Sequence, residues 1–412
     1  EEGVEGWAEV RGNWDPWYQA KPELRARVIT ADGAVHTLDA ATLNDVPAHE
    51  DSPDLYSDAR AYGGPLPAIA RGALVEEEVT TRDTGVFFSG GLVERLTLTE
   101  PVTVHRSRVV LAHPESLPFH FVLRLLPEAK VNKTSENGAE TITIENGMLP
   151  PSTRSLPFVP SDVVLYPQVE FSTGVSWQQV ASLYARQVDE KLRLADVQPL
   201  IARLGLKPGD NLDSIRKIVS LLHKTVRYTG VEFGESSLVP QFPAETLKRK
   251  YGDCKDKATL LIAMLRAAGI PASLALLSSG PGQDINTTLP GMGEFDHAIV
   301  YAPATASSPE LWIDATAQYT TVGNLPEMDY GRWALITDEK TTGLTRIPEL
   351  LAERNRHVET REINLAEYGP AAIVERNEQQ GPSEESYREY YTKESKEMRE
   401  GLEKYFKDTY LA

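Results

Sequence analysis

The sequence predicts an α+β fold in which a strand-rich first part precedes a mixed part of helices and strands. Residues 1–172 contain many short segments rich in β-branched residues, separated by clusters of Gly, Pro, Asn and Asp, a pattern typical of a β-sandwich or curved sheet. Beyond residue 172 apolar residues recur with the helical period. The chain has 412 residues, 41% of them hydrophobic, enough for about two or three separate cores.

Residues 1–172 predict a β-sandwich-like domain. Residues 24–29 and 35–38 are extended runs, and the Asp-Gly pair at 32–33 lies in their short connection, which indicates a hairpin. Turns are predicted where Gly, Pro and Asn cluster, at residues 63–65 (Gly-Gly-Pro) and 136–138 (Glu-Asn-Gly). Further strands are predicted at residues 74–80, 102–111, 120–126 and 141–144.

Residues 173–345 predict an α+β domain that opens with helices. Ser176 is followed three residues later by Gln179, which is the capping-box spacing at a helix start. A second helix is predicted at residues 212–226, because its apolar residues follow the 3.6-residue period. These residues are Ile215, Ile218, Val219, Leu222 and Val226. The change from strand to helix signals places the domain boundary between residues 172 and 200.

Residues 346–412 form a strongly charged C-terminal segment. Residues 383–410 are rich in Glu, Lys and Tyr and predict one exposed helix with an apolar stripe, whose more common role is packing on a neighbouring part rather than binding a partner. The stripe consists of Tyr387, Tyr391, Met398, Leu402 and Phe406. Because the chain begins without Met and ends inside this helix, we expect that both ends are cut and that the segment belongs to a truncated third domain.

Composition restricts the classes of partner. The formal net charge is −18 and the isoelectric point is near 5.0, so the surface repels phosphate backbones and we expect no nucleic-acid partner. The densest basic run is only residues 248–250 (Lys-Arg-Lys). No segment approaches the roughly 18 consecutive apolar residues of a membrane-spanning helix. Cys254 is the single cysteine, which excludes an internal disulfide; a lone cysteine is more often a buried structural residue than a nucleophile.

Cys254 falls in the first turn of a predicted helix. Asp253 before it is a favoured N-cap residue, Gly269 is placed to end the helix, and Pro271 prevents its continuation. A strand is predicted at residues 272–277. The predicted buried face of the helix consists of Ala258, Leu261, Ile262, Leu265 and Ala268.

The position of Cys254 suits a nucleophile. A helix N-terminus carries free N–H groups and a partial positive charge, which favour a thiolate and can hold the oxyanion of a tetrahedral intermediate. The lysines at 255 and 257 add positive charge and the aspartates at 253 and 256 oppose it, so the net effect stays open. A buried structural cysteine at a helix start is the alternative.

A nucleophilic thiol requires a base, and the base requires an orienting acceptor. His297 precedes the apolar run 298–301, and Asp314 follows the apolar run 311–313. If these runs are adjacent strands, the two side chains lie side by side. The Gly- and Pro-rich loop 278–294 either borders the active-site cleft or is a mobile connector. The other histidines are expected to be structural: His36, His49, His105, His113, His120, His223 and His357.

These motifs resemble those of bacterial transglutaminase-like proteins, which belong to the papain-like cysteine fold. The resemblance rests on VRYTGVEFGESS, FPAETLKRKYGDCKDKATLLIAMLRAAGIPA, FDHAIVY and WIDATA. In these proteins the core follows an N-terminal β domain of the DUF3857 type, to which WDPWYQAKPELRARVITADGAVHTLD and GALVEEEVTTRD are similar. The resemblance implies that the earliest strands of that domain are missing here. The resemblance covers roughly residues 7–340 and implies a transglutaminase-type core in residues 173–345.

The resemblance implies catalytic roles. Cys254 would be the nucleophile, His297 the base and acid, and Asp314 the residue that orients the histidine. An upstream oxyanion donor is expected in this fold, but Val239 stands where the bacterial pattern has Gln, so Gln241 and Tyr228 are the candidates. The sequence contains no metal-binding motif or phosphate-binding Gly loop, and we expect no cofactor and no metal.

Two functional hypotheses follow. The first is acyl transfer from a peptide or peptide-like amide through a thioester, with hydrolysis favoured over transamidation because water is the default acceptor; the substrate would be a peptide, a protein or cell-wall peptide. The second is a non-catalytic or weakly active binding module that acts through its β domain. Resemblance to exported bacterial proteins favours a periplasmic or extracellular location. Oligomeric state cannot be read from the sequence.

Overall fold

The computed structural model describes residues 6–49, 55–152, 159–207, 209–280, 282–393 and 395–411. The predicted α+β class is confirmed, because strands dominate up to Ser172 and helices with a five-stranded antiparallel sheet follow. The limits predicted for the three domains, 1–172, 173–345 and 346–412, stay predictions. The strands up to Ser172 are β1 (Glu9–Trp14), β2 (Gln19–Ile29), β3 (Val35–Thr37), β4 (Asn44–Pro47), β5 (Leu55–Ser57), β6 (Arg60–Pro65), β7 (Leu74–Asp83), β8 (Val93–Thr97), β9 (Ser107–Pro114), β10 (His120–Arg124), β11 (Lys130–Glu136), β12 (Ala139–Asn146) and β13 (Gln168–Ser172).

Two turns form where the sequence predicts them. Strands β2 and β3 pair antiparallel as a hairpin, in which Gly33 has a φ of 84° and Asp32 accepts a hydrogen bond from the Ala34 N–H. Strands β11 and β12 pair antiparallel through Asn137 and Gly138, whose φ values are 55° and 79°. Positive φ at both central residues is the requirement of a type I′ turn, which Asn-Gly meets at low cost.

Two other expectations for this region are wrong. Residues 63–65 continue strand β6 rather than forming a turn, because Gly63 and Gly64 let the backbone approach both neighbouring strands. A Cβ atom on Gly63 would lie 2.5 Å from the Val10 carbonyl oxygen. The strand predicted at residues 102–111 begins only at Ser107, since Val104 forms just an isolated bridge with Leu149.

The strands up to Ser172 build two small cores. The sheet β1-β6-β4 and the sheet β3-β2-β7 contribute to the first, which contains Val10, Ala26, Val28 and Leu66. The sheets β10-β13-β8 and β11-β12-β9 contribute to the second, which contains Leu126, Ile142, Ile144, Leu149 and Val169. In strand β12 alternate residues are buried in the second core, as a two-residue side-chain period requires.

The second part combines helices with a five-stranded sheet. Both predicted helices are present, and Ser176 caps the first by accepting a hydrogen bond from the Gln179 N–H. The helices are α1 (Trp177–Leu192), α2 (Gln198–Ile201), α3 (Asn211–Thr225), α4 (Pro243–Arg249) and α5 (Cys254–Ala267). The strands are β14 (Arg227–Tyr228), β15 (Gly230–Glu232), β16 (Tyr251–Gly252), β17 (Ser273–Leu277), β18 (His297–Ala302), β19 (Leu311–Ile313), β20 (Trp333–Ile336) and β21 (Thr345–Arg346).

The antiparallel sheet of this part has the order β19-β18-β17-β20-β21 and carries a core on each face. On strand β17, Leu274 and Leu276 join the core shared with α5, whereas Ala275 and Leu277 join a smaller core on the opposite face. A sheet buried on both faces supports the strand ends rigidly.

The charged segment differs from its prediction. It contains a hairpin that the sequence did not predict, and residues 383–410 form two helices instead of one. The Tyr390 hydroxyl donates a hydrogen bond to the Met398 carbonyl and links the two helices. These elements are β22 (Arg356–Asn364), β23 (Ala372–Gln380), α6 (Glu384–Tyr390) and α7 (Ser395–Tyr410). Among the described residues, no helix is long and apolar enough to cross a membrane.

Candidate active site

Helix α5 places Cys254 at its first residue, as predicted. The Asp253 side chain accepts a hydrogen bond from the Asp256 N–H, which is the N-cap interaction. At the other end Gly269, with φ of 77°, and Ile270 donate to the carbonyls of Arg266 and Leu265, the two bonds of a Schellman motif. The helix is held at both ends by local signals, which fixes the direction of its N-terminus.

Burial of α5 is wider than predicted. The sequence predicted one buried apolar face, but every residue from 255 to 265 is buried. Ala268, which was predicted to belong to that buried face, is only half-buried. Helices α1, α3 and α4 and strands β17 and β18 all contact α5, so the helix runs through the centre of the core rather than along its edge. Cys254 itself is a free, half-buried thiol at the end of this central helix.

The sheet register brings His297 and Asp314 together. Strands β18 and β19 pair antiparallel with Val300 opposite Ile313, so the start of β18 and the residue after β19 lie at the same edge of the sheet. The His297 Nε2 atom lies 3.2 Å from Asp314 Oδ2. The other hydrogen-bond partner of the His297 ring is the Cys254 thiol. The three predicted residues therefore meet in the order thiol, imidazole, carboxylate.

Asp314 is fixed on its far side. Its Oδ1 atom accepts hydrogen bonds from the Thr316 N–H at 2.7 Å and from the Thr316 hydroxyl at 2.8 Å. Asp314 is 7% exposed, so little water competes for either oxygen. The carboxylate is thereby oriented, and it holds the His297 ring with one nitrogen toward the thiol.

Hydrogen bonds and charge interactions shift the pKa values of His297 and Asp314 more than burial does. Burial alone would lower the pKa of His297, but hydrogen bonds to Asp314 and Cys254 and the charges on both raise it well above its ordinary 6.5. Burial alone would raise the pKa of Asp314, but the hydrogen bond and charge of His297, with the bonds from Thr316, lower it. The hydrogen bonds to Asp314 and Cys254 stabilise the protonated imidazole, which is the form that can give a proton to a leaving group.

The charged residues next to Cys254 are paired. Lys255 donates to Asp253 Oδ2 at 2.5 Å within the core. Asp256 accepts from the Gln241 N–H at 2.7 Å and from Arg249 Nη2 at 2.9 Å. Burial, with the charge of Asp253, raises the pKa of Asp256 to about 6. These contacts tie the segment before α4 to the first turn of α5.

The two oxyanion candidates have different surroundings. The Gln241 side chain donates to the Ser236 hydroxyl at 2.5 Å, and its backbone braces Asp256, so its amide is already engaged. Tyr228 is 47% exposed and lies opposite Gly252 in the parallel pair β14–β16. Burial and the charges of Cys254 and Asp253 raise the Tyr228 pKa above its ordinary 10, which keeps its hydroxyl protonated and able to donate.

Three titratable residues lie near Asp314, a position that the sequence did not predict for them: His223, Lys257 and Asp329. His223, expected on the polar side of its helix, is half-buried, and neither ring nitrogen has a hydrogen-bond partner among the described residues. Burial, with the charge of Lys257, lowers the His223 pKa to about 4. Burial lowers the pKa of Lys257 to about 8, and its ammonium donates to the Val226 carbonyl. Periodicity places such residues on a helix face but does not show what packs against that face.

The third is Asp329, on a 3-10 turn that the sequence does not signal. Its carboxylate, a ring nitrogen of His297 and a carboxylate oxygen of Asp314 all lie within 4.8 Å of one another. Burial, with the charge of Asp314, raises the pKa of Asp329 to about 7. An imidazole with two carboxylates can serve as metal ligands, so the fold assembles a group that no sequence motif announces.

The loop before His297 is docked on the strand-rich part rather than mobile. Leu92 and Met292 form a bridge, the Val93 N–H donates to the Met292 carbonyl, and the Met292 N–H donates to the Gly91 carbonyl. The contact is close: a Cβ atom on Gly174 would lie 2.1 Å from the Pro290 carbonyl oxygen. The loop therefore enters strand β18 from a fixed position.

A buried polar cluster anchors the same loop. Glu170, which is fully buried, accepts hydrogen bonds from the side chains of Gln283 and Asn286 in the loop. Arg95 lies 3.4 Å from Glu170 and 2.7 Å from Glu294. Since each charge has an opposite partner, the cluster connects strands β8 and β13 to the segment leading into His297.

Comparisons with known families agree with this architecture. Residues 1–153 match the model of a domain of unknown function with solved structure (DUF3857), and residues 200–316 match the transglutaminase-like superfamily. The resemblance inferred from the sequence is confirmed, because the two family models match the parts of the chain that carried it. A search of curated proteins returns no match.

One solved structure superposes well on this chain, and a second matches it more weakly. A structure from Parabacteroides distasonis ATCC 8503, provisionally named a protease, superposes with a TM-score of 0.67 at 16% identity, covering 87% of this chain and 71% of its own. A structure from Cytophaga hutchinsonii, provisionally named a cysteine protease, has a TM-score of 0.27 at 14% identity, covering 71% of this chain and 89% of its own. The first likeness extends the fold assignment over both parts of the chain.

Proposed function

We propose that the chain is a cysteine-dependent acyl-transfer enzyme acting on a peptide or peptide-like amide, with hydrolysis favoured over transamidation. The observation that carries the proposal is the contact of His297 with both Cys254 and Asp314 at the start of a buried helix. The transglutaminase-like core and the provisional protease names of the structural neighbours support the same class of reaction.

The reaction follows from the positions of the three groups. The Cys254 thiolate adds to the amide carbonyl carbon, and N–H groups at the start of α5 stabilise the oxyanion. The His297 imidazolium gives its proton to the leaving amine as the C–N bond breaks, which leaves a thioester. Water then loses a proton to His297 and adds to the thioester, and the C–S bond breaks to release the carboxylic acid and the thiolate.

Tyr228 is the better oxyanion candidate. Its hydroxyl is protonated, its ring is partly exposed, and its strand runs beside the residues that lead into Cys254. The Gln241 amide is bonded to Ser236 and would have to leave that partner first. We expect Tyr228→Phe to slow acyl transfer about tenfold or more and Gln241→Ala to act mainly on stability.

The decisive experiment is iodoacetamide labelling of the folded protein across pH, read by mass spectrometry. At pH 6 an ordinary thiol is only about 0.3% thiolate, so rapid labelling of Cys254 there requires an activated group. His297→Ala should slow the labelling, and Lys248→Ala, on the exposed face of α4, serves as a surface control. Slow labelling that ignores His297 would refute the catalytic assignment and favour a binding module.

The acceptor is tested separately. Unlabelled protein, taken from a preparation in which Cys254 reacts rapidly at pH 6, is incubated with a fluorogenic peptide library, with and without a fluorescent primary amine. Release of free acid that the amine does not alter supports hydrolysis, whereas covalent capture of the amine by the acyl group refutes it. A periplasmic or extracellular bacterial location, and a peptide or cell-wall peptide as the natural substrate, remain part of this proposal.

A further inference from the structure

Asp329 is a buried acid beside the triad with an uncommitted oxygen. It is 2% exposed, and its Oδ2 atom has no hydrogen-bond partner among the described residues. A buried carboxylate oxygen without a partner costs free energy and calls for a ligand. A carboxylate oxygen of Asp329, a ring nitrogen of His297 and a carboxylate oxygen of Asp314 lie within 4.8 Å of one another, so the Asp329 carboxylate with its unpartnered Oδ2 stands beside the His297–Asp314 pair.

We propose that His297, Asp314 and Asp329 bind a divalent transition-metal ion, with Zn²⁺ as the best match, and that the bound ion switches off the triad. One imidazole nitrogen and two carboxylate oxygens are ligands that Zn²⁺ accepts, and three protein ligands leave a fourth position for water. Mg²⁺ and Ca²⁺ prefer oxygen ligands throughout and suit this group less well.

The spacing suits a small ion. Tetrahedral Zn²⁺ holds N and O ligands at about 2.0–2.2 Å, which places neighbouring ligand atoms about 3.3–3.6 Å apart. His297 Nε2 and Asp314 Oδ2 are already 3.2 Å apart. A carboxylate oxygen of Asp329 lies within 4.8 Å of both atoms, so it would have to move by at most about 1.5 Å, and Oδ2 breaks no hydrogen bond in doing so.

The charge around the group also favours a cation. Among the described residues, His297 is the only cationic group within 4.0 Å of either carboxylate. The Arg332 guanidinium lies near Asp329 but donates to the main-chain carbonyls of residues 280, 282 and 328. The Lys257 ammonium donates to the Val226 carbonyl. Two buried carboxylates thus share one imidazole, and a dication would neutralise their excess negative charge.

The consequence for the reaction rests on the proposed function. An ion bound to Nε2 takes the place of the proton that Nε2 otherwise donates in its hydrogen bond to Asp314. The ring then keeps its one remaining proton on Nδ1, toward Cys254. Such a ring cannot take up a second proton, so it cannot cycle between base and acid as acyl transfer requires. The ion is an inhibitor and takes no part in the chemistry.

The test separates this site from a thiolate–metal adduct. Zn²⁺ is titrated calorimetrically into the Cys254→Ala protein, and we expect one ion per chain. Asp329→Asn in the same background should weaken binding tenfold or more, since a ligand is lost. Glu327→Gln is the matched control, because Glu327 is an exposed acid on the same 3-10 turn, and its affinity should stay within about twofold. Thermal unfolding confirms that each variant is folded.

Several results would overturn the proposal. Zn²⁺ binding that disappears in Cys254→Ala assigns the ion to the thiolate, and equal affinity in Asp329→Asn removes Asp329 from the ligand set. Mg²⁺ binding as tight as that of Zn²⁺ refutes the metal class. If the wild-type protein has no acyl-transfer activity, the proposed function fails while calorimetry still decides the metal site. If it is active, Zn²⁺ should inhibit it reversibly, with relief by a chelator.

Discussion

The buried Glu170 cluster allows a sharp test of how the strand-rich part supports the site. In Glu170→Ala the carboxylate that faces Arg95 at 3.4 Å and Arg124 at 3.7 Å is lost, while the Arg95 guanidinium stays mostly out of water. The side chains of Gln283 and Asn286 lose their acceptor in the same change. Removing one partner of a buried ion pair typically costs about 3–5 kcal/mol, because the remaining charge is uncompensated.

Two features of the structure reduce the expected loss in the free energy of unfolding. Arg95 keeps Glu294 as a partner at 2.7 Å, and the Arg124 side chain is 38% exposed and can be hydrated. We therefore expect a loss near 3 kcal/mol in the free energy of unfolding, the lower end of the range. Glu170→Gln, which keeps one carbonyl oxygen as an acceptor, should lose about half as much.

The assay is urea-induced unfolding with a matched control. Glu145→Ala also removes a carboxylate that faces two arginines, Arg106 at 2.7 Å and Arg108 at 3.6 Å, but this cluster is open to solvent and its loss should be small. Freed from its anchor, the loop should also misplace His297 and slow the labelling of Cys254 at pH 6. A loss below about 1 kcal/mol in Glu170→Ala, or one equal to that of Glu145→Ala, would refute the reasoning.

Three further outcomes are expected. Leu261→Ala, at a fully buried position of α5, should lower the free energy of unfolding by about 2–5 kcal/mol in urea unfolding, and a loss below 1 kcal/mol would contradict the central placement of the helix. Asp314→Asn should reduce peptide cleavage about a thousandfold or more at unchanged folding, and a drop below tenfold would contradict its orienting role. Since the folded-state pKa of His223 is about 4, below its unfolded value near 6.5, stability should fall between pH 6.5 and 4. His223→Phe should flatten that slope, and an unchanged slope would assign it to other groups.

The elements that local signals specify were predictable from the sequence. The helix start at Cys254 is set by the Asp253 cap, and its end by Gly269, each within a few residues of the feature it controls. The neighbouring positions of His297 and Asp314 required one further step, that two short apolar runs pair. That step holds because sequential strands pair often across short connections.

Features set by distant contacts were not predictable. Asp329 lies beside His297 and Asp314 although it belongs to a separate 3-10 turn, and no spacing relates it to Cys254. The docking of Met292 on Leu92 joins residues that are two hundred positions apart. The turn predicted at Gly63 and Gly64 was wrong because glycine favours two different outcomes. It allows a turn and it also allows two backbones to approach closely, and only the neighbouring strands decide between these outcomes.

The strand-rich part is therefore a structural component of the site. Cys254 is positioned by a helix whose contacts lie within the transglutaminase-like core, but the segment entering His297 takes its support from elsewhere. Leu289 and Met292 are buried, and the Ser172 hydroxyl of the strand-rich part donates a hydrogen bond to the Pro290 carbonyl between them. Without strands β8 and β13 this loop loses the surface that covers it, and the imidazole loses its fixed approach to the thiol. Residues 173–345 expressed alone should fold around α5 yet label Cys254 more slowly than the full chain.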